Sequence, residues 1–219
     1  MRRRWPELLC ALTVAALIAA CGDRAAEFRG NELTGGERAA DFTLYDQFGS
    51  EVSLSELRGD VVVLTFLYTD CPDICPVVAS HLADVRDELS GEPGLMDRVS
   101  MVAVSVDPER DTVQRAREYS ESYGLLDDWS YLVGDRERLE RIWADYYVSP
   151  LPVGEEHSDS DPIHQDGSAD SLYERLGAAY TVDHQAPVYL IDRDGTMRVL
   201  FSLPFRPGDV AEDVRSLLR

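Results

Sequence analysis

The residues best able to do chemistry in this sequence are two cysteines. Cys71 and Cys75 stand four positions apart in Tyr68-Thr69-Asp70-Cys71-Pro72-Asp73-Ile74-Cys75-Pro76, directly after the apolar run Val61 to Leu67. Side chains at i and i+4 share one face of a helical turn, so both sulfurs can reach one point. The unpaired N–H groups at the start of a helix favour a thiolate over a thiol. Thiolates are the ligands that soft ions such as Cu(I) select. Pro72 and Pro76 restrict the backbone of this loop and remove two donors from it.

Three chemistries are open to such a pair. A structural disulfide between residues four apart closes so short a loop that it stabilises weakly. A redox-active dithiol after a buried strand is how thioredoxin-like oxidoreductases are built, although those normally have two intervening residues and this chain has three. A metal site needs at least one further donor. His184 is the candidate, because it precedes the apolar strand Val188 to Ile191. In a thioredoxin-like sheet the start of that strand lies beside the N-terminus of the first helix. A Cys71, Cys75 and His184 set would hold Cu(I) through its thiolates and accept Cu(II) through the added imidazole.

The elements that must position these groups are read from apolar pattern and turn chemistry. Phe42 to Leu44 and Val52 to Leu54 flank Asp46-Gln47-Phe48-Gly49 and read as a hairpin. Val61 to Leu67 (VVVLTFL) and Val99 to Val106 (VSMVAVSV) are continuous apolar runs, the pattern of strands buried on both faces of a parallel sheet. Between them Val78, Leu82, Val85 and Leu89 mark one face of a helix ending near Gly91. A polar helix is expected at Thr112 to Tyr123 and a short strand at Tyr131 to Val133. Asp135 is placed to cap a helix carrying Leu139, Ile142, Trp143 and Tyr146 on one face. Pro150 to about Asp170 is acidic and reads as a long loop. Val188 to Ile191 and Met197 to Phe201 flank Asp192-Arg193-Asp194-Gly195, a hairpin signal, and a last helix, Gly208 to Leu218, buries Val210, Val214 and Leu217. Alternating strands and helices imply an α/β sandwich with a largely parallel sheet. The cysteines then fall at its carboxyl edge, where sites form in such folds.

Composition narrows the partners. The chain has 219 residues, 44% apolar and 28% charged, which suits one globular domain with a single core. Its 21 basic residues, all arginine, face 41 acidic ones for a net charge of -20, and a surface of that sign repels phosphate backbones. Nucleic acid is therefore not an expected partner. No phosphate-binding glycine loop, Ser-His-Asp order or paired-carboxylate motif stands out.

The first residues address location. Met1, Arg2, Arg3 and Arg4 precede the uncharged stretch Leu8 to Ala20, thirteen residues that fall short of a membrane span and suit a secretory signal. The stretch ends Ile18-Ala19-Ala20-Cys21, which resembles a bacterial lipobox, so Cys21 is expected to carry the lipid. A plain signal peptide or an uncleaved anchor is the alternative. The division expected is a signal at 1–20, a flexible tether at 21–40 and a domain at 41–219. Cys10 would leave with the signal. Cys71 and Cys75 would then be the only free thiols, in an extracytoplasmic compartment that favours oxidation.

Together, TFLYTDCPDICP, SVDPERDT and VDHQAPVYLIDRDG resemble the Sco/SenC family of thioredoxin-like copper proteins, with its CPxxCP pattern and a distant Asp-His pair. The resemblance runs from about Phe42 to the C-terminus and is least at 154–172. It implies a thioredoxin-like fold, with a central mixed, largely parallel sheet, flanking helices and an N-terminal hairpin. It also implies Cys71, Cys75 and His184 as copper ligands. The role implied is that of a membrane-tethered chaperone, not an enzyme, in assembly of the copper centre of cytochrome c oxidase, meeting the copper-bearing subunit or another copper chaperone. An extracytoplasmic thiol-disulfide oxidoreductase using the same cysteines is the alternative. Pro187, eight residues before Gly195, stands where the thioredoxin fold keeps a cis-proline, and a cis bond there would favour docking of a substrate thiol.

Other candidates read as structural. His81 is six residues past Cys75 and turns away from the thiols, and His157 and His164 lie in the acidic loop as solvated residues. Asp107 and Asp111 are expected to cap the next helix. Asp70, Asp73 and Asp183 surround the candidate ligands and could orient His184.

Overall fold

The apolar run before the cysteines becomes the central strand of a six-stranded sheet. The computed structural model describes residues 27–154, 180–183 and 185–219. In chain order the strands are β1 (Asn31–Glu32), β2 (Thr43–Tyr45), β3 (Glu51–Ser53), β4 (Val61–Leu67), β5 (Val99–Ser105), β6 (Ser130–Leu132), β7 (Leu151–Gly154), β8 (Tyr180–Asp183), β9 (Val188–Ile191) and β10 (Met197–Phe201). The helices are α1 (Ile74–Ser90), α2 (Val113–Ser122), α3 (Arg136–Asp145) and α4 (Pro207–Leu218).

The sheet order is β1-β10-β9-β4-β5-β6. β4 runs parallel to β5, with Val61 opposite Val99 and Leu67 opposite Ser105, and β6 runs parallel to β5. Parallel neighbours need a crossover, supplied here by α1 and then α2. On its other side β4 meets β9 antiparallel, Val62 opposite Ile191 and Thr65 opposite Val188, and the β9–β10 hairpin carries the pattern outward to β1. All seven β4 residues are buried, as a run with neighbours on both sides requires. The expected N-terminal hairpin forms between β2 and β3. Its turn is closed by the Asp46 carboxylate, which accepts from the N–H groups of Phe48 and Ser50 at 2.9 and 2.8 Å.

The helices follow their apolar stripes. α1 buries Cys75, Val78, Ala79, Leu82, Val85 and Leu89, so one of the two cysteines belongs to the stripe that seats the helix. Asp135 caps α3 by accepting from Arg138 N–H at 2.9 Å. In α4 the buried set is Val210, Ala211, Asp213, Val214 and Leu218, with Leu217 only partly covered. Among the described residues the cis peptide bond is Leu203–Pro204, not Ala186–Pro187. No described helix is long and apolar enough to cross a membrane.

Residues 27–40, inside the stretch expected to be a tether, lie along the sheet edge. β1 pairs with β10, Leu33 N–H donates to Arg198 O at 2.9 Å, and Ala39 N–H donates to Gly195 O at 3.0 Å. Buried Asp213 holds the start of this segment by accepting from Arg29 N–H at 2.8 Å and Gly30 N–H at 2.9 Å. Only glycine fits at 30, since a Cβ there would come within 2.5 Å of Val199 Cγ1. Replacing Asp213 with alanine leaves those N–H groups without their acceptor. The expected loss is about 2 kcal/mol of stability, read by denaturant unfolding, with early hydrogen exchange at Arg29 and Gly30.

Candidate functional site

The carboxyl end of β4 delivers the chain into the Tyr68–Asp73 loop, and α1 begins at Ile74. Cys71 sits in the loop and Cys75 in the first turn of the helix. Asp73, at the N-cap position, makes no side-chain capping bond, and the Cys71 sulfur takes that part by accepting from Cys75 N–H at 3.4 Å. Both cysteines are free thiols. Cys75 is wholly buried, whereas Cys71 keeps 8% of its surface exposed, so Cys71 is the sulfur solvent can reach.

Their electrostatics diverge accordingly. The Cys71 thiol is lowered to about 5, first by the hydrogen bond from the Cys75 thiol, then by the N–H groups of Asp73 and Cys75 and by the Tyr68 side chain, against the opposing effect of burial. Burial pushes the Cys75 thiol up, and the neighbouring Cys71 sulfur pushes it further. One thiolate and one thiol thus share a proton donor and acceptor at a helix N-terminus. Of the two described thiols, iodoacetamide should therefore alkylate Cys71 and not Cys75 in the native reduced chain, at a rate that is flat at neutral pH. The rate should fall about tenfold per unit below pH 5, because protonation removes the nucleophile. Counting labelled thiols by mass spectrometry, native and unfolded, checks this.

A ring of polar residues fixes the loop. Asp111 is buried, and its Oδ1 accepts from Thr69 N–H at 3.0 Å and Thr69 Oγ1 at 2.6 Å. Its Oδ2 accepts from Ser105 Oγ at 2.6 Å and Tyr131 OH at 3.1 Å. Burial pushes the Asp111 carboxyl up, while the Ser105 and Thr69 donors favour its charged form. The helix cap expected of Asp111 is made instead by Thr112, whose hydroxyl accepts from Arg115 N–H at 3.2 Å. Asp107 is also buried and pairs with Arg110. Asp70 bridges Arg110 at 3.5 Å and Arg115 at 2.7 Å on the rim. The Arg110 guanidinium lies 5.6 Å from the centroid of the Tyr68 ring.

The structure brings Cys71 and Cys75 together. His184, His157, His164 and Cys21 lie outside the described residues. The chain on the far side of His184 returns to the sheet at Pro187, whose carbonyl accepts from Thr65 Oγ1 at 2.9 Å, and at Val188, opposite Thr65. Among the described residues no three His, Cys, Asp or Glu side chains are grouped so as to hold a metal ion. His81 packs edge-on against Phe205, ring centroids 5.1 Å apart, in keeping with its structural reading. Sequence reasoning missed Tyr68 and Arg110. Only the proximity of Tyr68 to Cys71 hinted at the first, and nothing local hinted at the second.

A dithiol at the junction of a central β-strand and the first helix, at the carboxyl edge of a mixed sheet, defines a thioredoxin-like protein. Within that class the chain belongs to the SCO1/SenC family, which it matches over residues 31–219. It is 31% identical over 177 residues to the mitochondrial SCO2 homolog of Bos taurus, spanning 80% of this chain and 58% of the bovine protein. Its fold is similar to Bradyrhizobium japonicum ScoI, solved with copper bound, with 29% identity and a TM-score of 0.65 over 83% of this chain and 99% of that one. It is also similar to BsSco, described as a member of the Sco family of cytochrome c oxidase assembly proteins with a disulfide switch. That comparison gives 25% identity and a TM-score of 0.61 over 83% of this chain and 94% of BsSco.

Proposed function

We propose that this chain is a copper-delivery protein serving assembly of the cytochrome c oxidase copper centre, with copper as cargo. Cys71 and Cys75 supply thiolate ligands and His184 completes the set. The observation carrying this reading is the free pair itself, one sulfur favoured as thiolate and accepting the backbone N–H of the other cysteine at 3.4 Å. Two soft donors, one in the loop and one in the first turn of the helix that follows it, suit Cu(I), and an imidazole would extend the site to Cu(II). Kinship with a copper-bound ScoI supports the cargo, and kinship with BsSco supports the oxidase as destination. A lipid on Cys21 would hold the domain on the extracytoplasmic face of a bacterial membrane, within reach of the copper-bearing subunit or a second chaperone.

The asymmetry of the pair favours a second reading, thiol-disulfide exchange. A reachable thiolate at Cys71 would attack a substrate disulfide to form a mixed disulfide. The Cys75 thiol, losing its proton, would then attack Cys71 and release the substrate as a dithiol, two electrons passing to it. One mixing experiment separates the two. The Cu(I)-loaded chain is incubated with the metal-free copper-bearing subunit, once with the subunit reduced and once with its cysteines joined. Delivery predicts copper on the reduced subunit and a dithiol left on this chain. Failure to load the reduced subunit, with the joined subunit reduced by the metal-free chain as Cys71 joins Cys75, would replace delivery by reduction.

A further inference from the structure

We propose that the end of the sheet opposite the cysteines is a membrane-facing surface, where arginines without carboxylate partners meet anionic lipid headgroups and turn the dithiol edge away from the bilayer. The proposal rests on the reading of Cys21 as the lipid-bearing residue and adds an orientation to it. Two observations carry it, the place where the chain enters the domain and the distribution of its arginines.

The amino end of β4 marks this base. Val62 stands opposite Ile191, so the turn after β9 lies there, and Gly59 N–H donates to Arg193 O at 3.0 Å. Phe28 sits at the same end, in a groove that it lines with Gly59, Arg193, Arg198 and Leu217, and the Arg198 guanidinium carbon is 5.8 Å from its ring centroid. The chain from Cys21 to Glu27 reaches about 21 Å at most. A lipid at Cys21 therefore keeps the base near the headgroups. The seven residues of β4 put the cysteine loop roughly 20 Å from that base.

Elsewhere the described arginines are paired with carboxylates, as Arg86 is with Asp128, Arg136 with Glu109 and Arg206 with Asp209. Those with no carboxylate partner among the described residues are Arg38, Arg58, Arg98, Arg193 and Arg219, and all of them lie at the base. Arg193 Nε donates to Gly59 O at 2.8 Å and Arg38 Nη1 to Asp194 O at 3.3 Å. Arg98 Nη2 donates to Leu218 O at 2.8 Å, which puts Arg219 beside the start of β5. A guanidinium has five N–H donors, so one carbonyl bond leaves donors for a phosphate. The carboxylates next to these arginines in sequence, Glu37, Glu56, Asp60, Asp97 and Asp194, bring the base close to electrical balance. The rest of a chain of net charge -20 then carries the negative excess. An anionic surface repels that remainder and admits the base.

The test places the membrane form of the full chain in nanodiscs of phosphatidylglycerol and phosphatidylcholine that contain a gadolinium-chelating lipid, which broadens amide signals near the headgroups. Signals of Gly59, Arg193 and Leu217 are expected to be lost, and those of Asp70, Asp73 and Ile74 to be retained. Each arginine at an anionic surface is worth about fivefold in occupancy, so Arg58→Gln with Arg193→Gln should weaken the preference about 25-fold and bring the two sets of signals together. Arg58→Lys with Arg193→Lys keeps the charge and should keep the native pattern. Discs of phosphatidylcholine alone, or high salt, should reproduce the glutamine pair. Loss of the cysteine-loop signals in the native chain overturns the proposal, and so does a native pattern that survives the glutamine pair or neutral discs. The mass of the membrane form reports separately whether Cys21 carries the lipid. A chain held instead by Leu8 to Ala20 would strike that reading alone, since the broadening is read on either form, and a chain recovered free of membrane would overturn both.

Discussion

Cys71→Ser is expected to fold as the native chain does and to bind Cu(I) more than about 100-fold more weakly. A serine oxygen can accept the Cys75 N–H as the sulfur does at 3.4 Å, so the helix start keeps its acceptor. The soft donor is lost, however, and a hydroxyl is a poor ligand for Cu(I). Residues that only support a metal ligand typically contribute 10- to 100-fold to affinity, so losing a ligand itself should exceed that range. Competition against a chromophoric Cu(I) chelator gives the affinity, and circular dichroism reports the fold. The Cys75→Ser change differs in one respect: Cys75 is fully buried on the stripe that seats α1, so a polar oxygen there also costs stability.

Asp111→Ala carries the largest expected loss of stability. Asp111 gathers four donors from three parts of the chain: the Thr69 N–H and hydroxyl before the cysteines, Ser105 at the end of β5, and Tyr131 in β6. Removing the carboxylate orphans buried groups at each place, for a cost of about 3 kcal/mol. That amounts to roughly a 10 °C fall in Tm for a domain of this size. The loop carrying Cys71 loses its tie at Thr69 as well, so Cu(I) affinity should fall together with Tm. Asp111→Asn keeps one oxygen but turns a donor toward two of these groups, and should recover only part of the stability.

Much of the frame was legible because it is written in local pattern. The continuous apolar runs that become β4 and β5, the stripe of α1, the Asp135 cap and the two hairpin turns each follow from side chains close in sequence. The cysteine pair was legible for the same reason, with four residues fixing the geometry. What escaped were contacts between distant residues. Asp213 meets Arg29 across 184 positions, and Asp111 meets Thr69 across 42. No periodicity announces either, since both partners are ordinary polar residues until the sheet brings them together. The same holds for residues 27–40, where Asn31 and Glu32 lack any strand-like composition and pair only because β10 offers a free edge. Arg110 over Tyr68 likewise exists only once the ends of β4 and β5 stand side by side.

Electron paramagnetic resonance and optical absorption of the Cu(II)-loaded chain, native against His184→Ala and Cys71→Ser, test the proposed ligand set most directly. The account predicts one copper per chain, with a sulfur-to-copper charge-transfer band and nitrogen coupling. The nitrogen coupling and tight Cu(II) binding should vanish in His184→Ala, and the band in Cys71→Ser. A native spectrum without sulfur character, unaltered by either substitution, would contradict it.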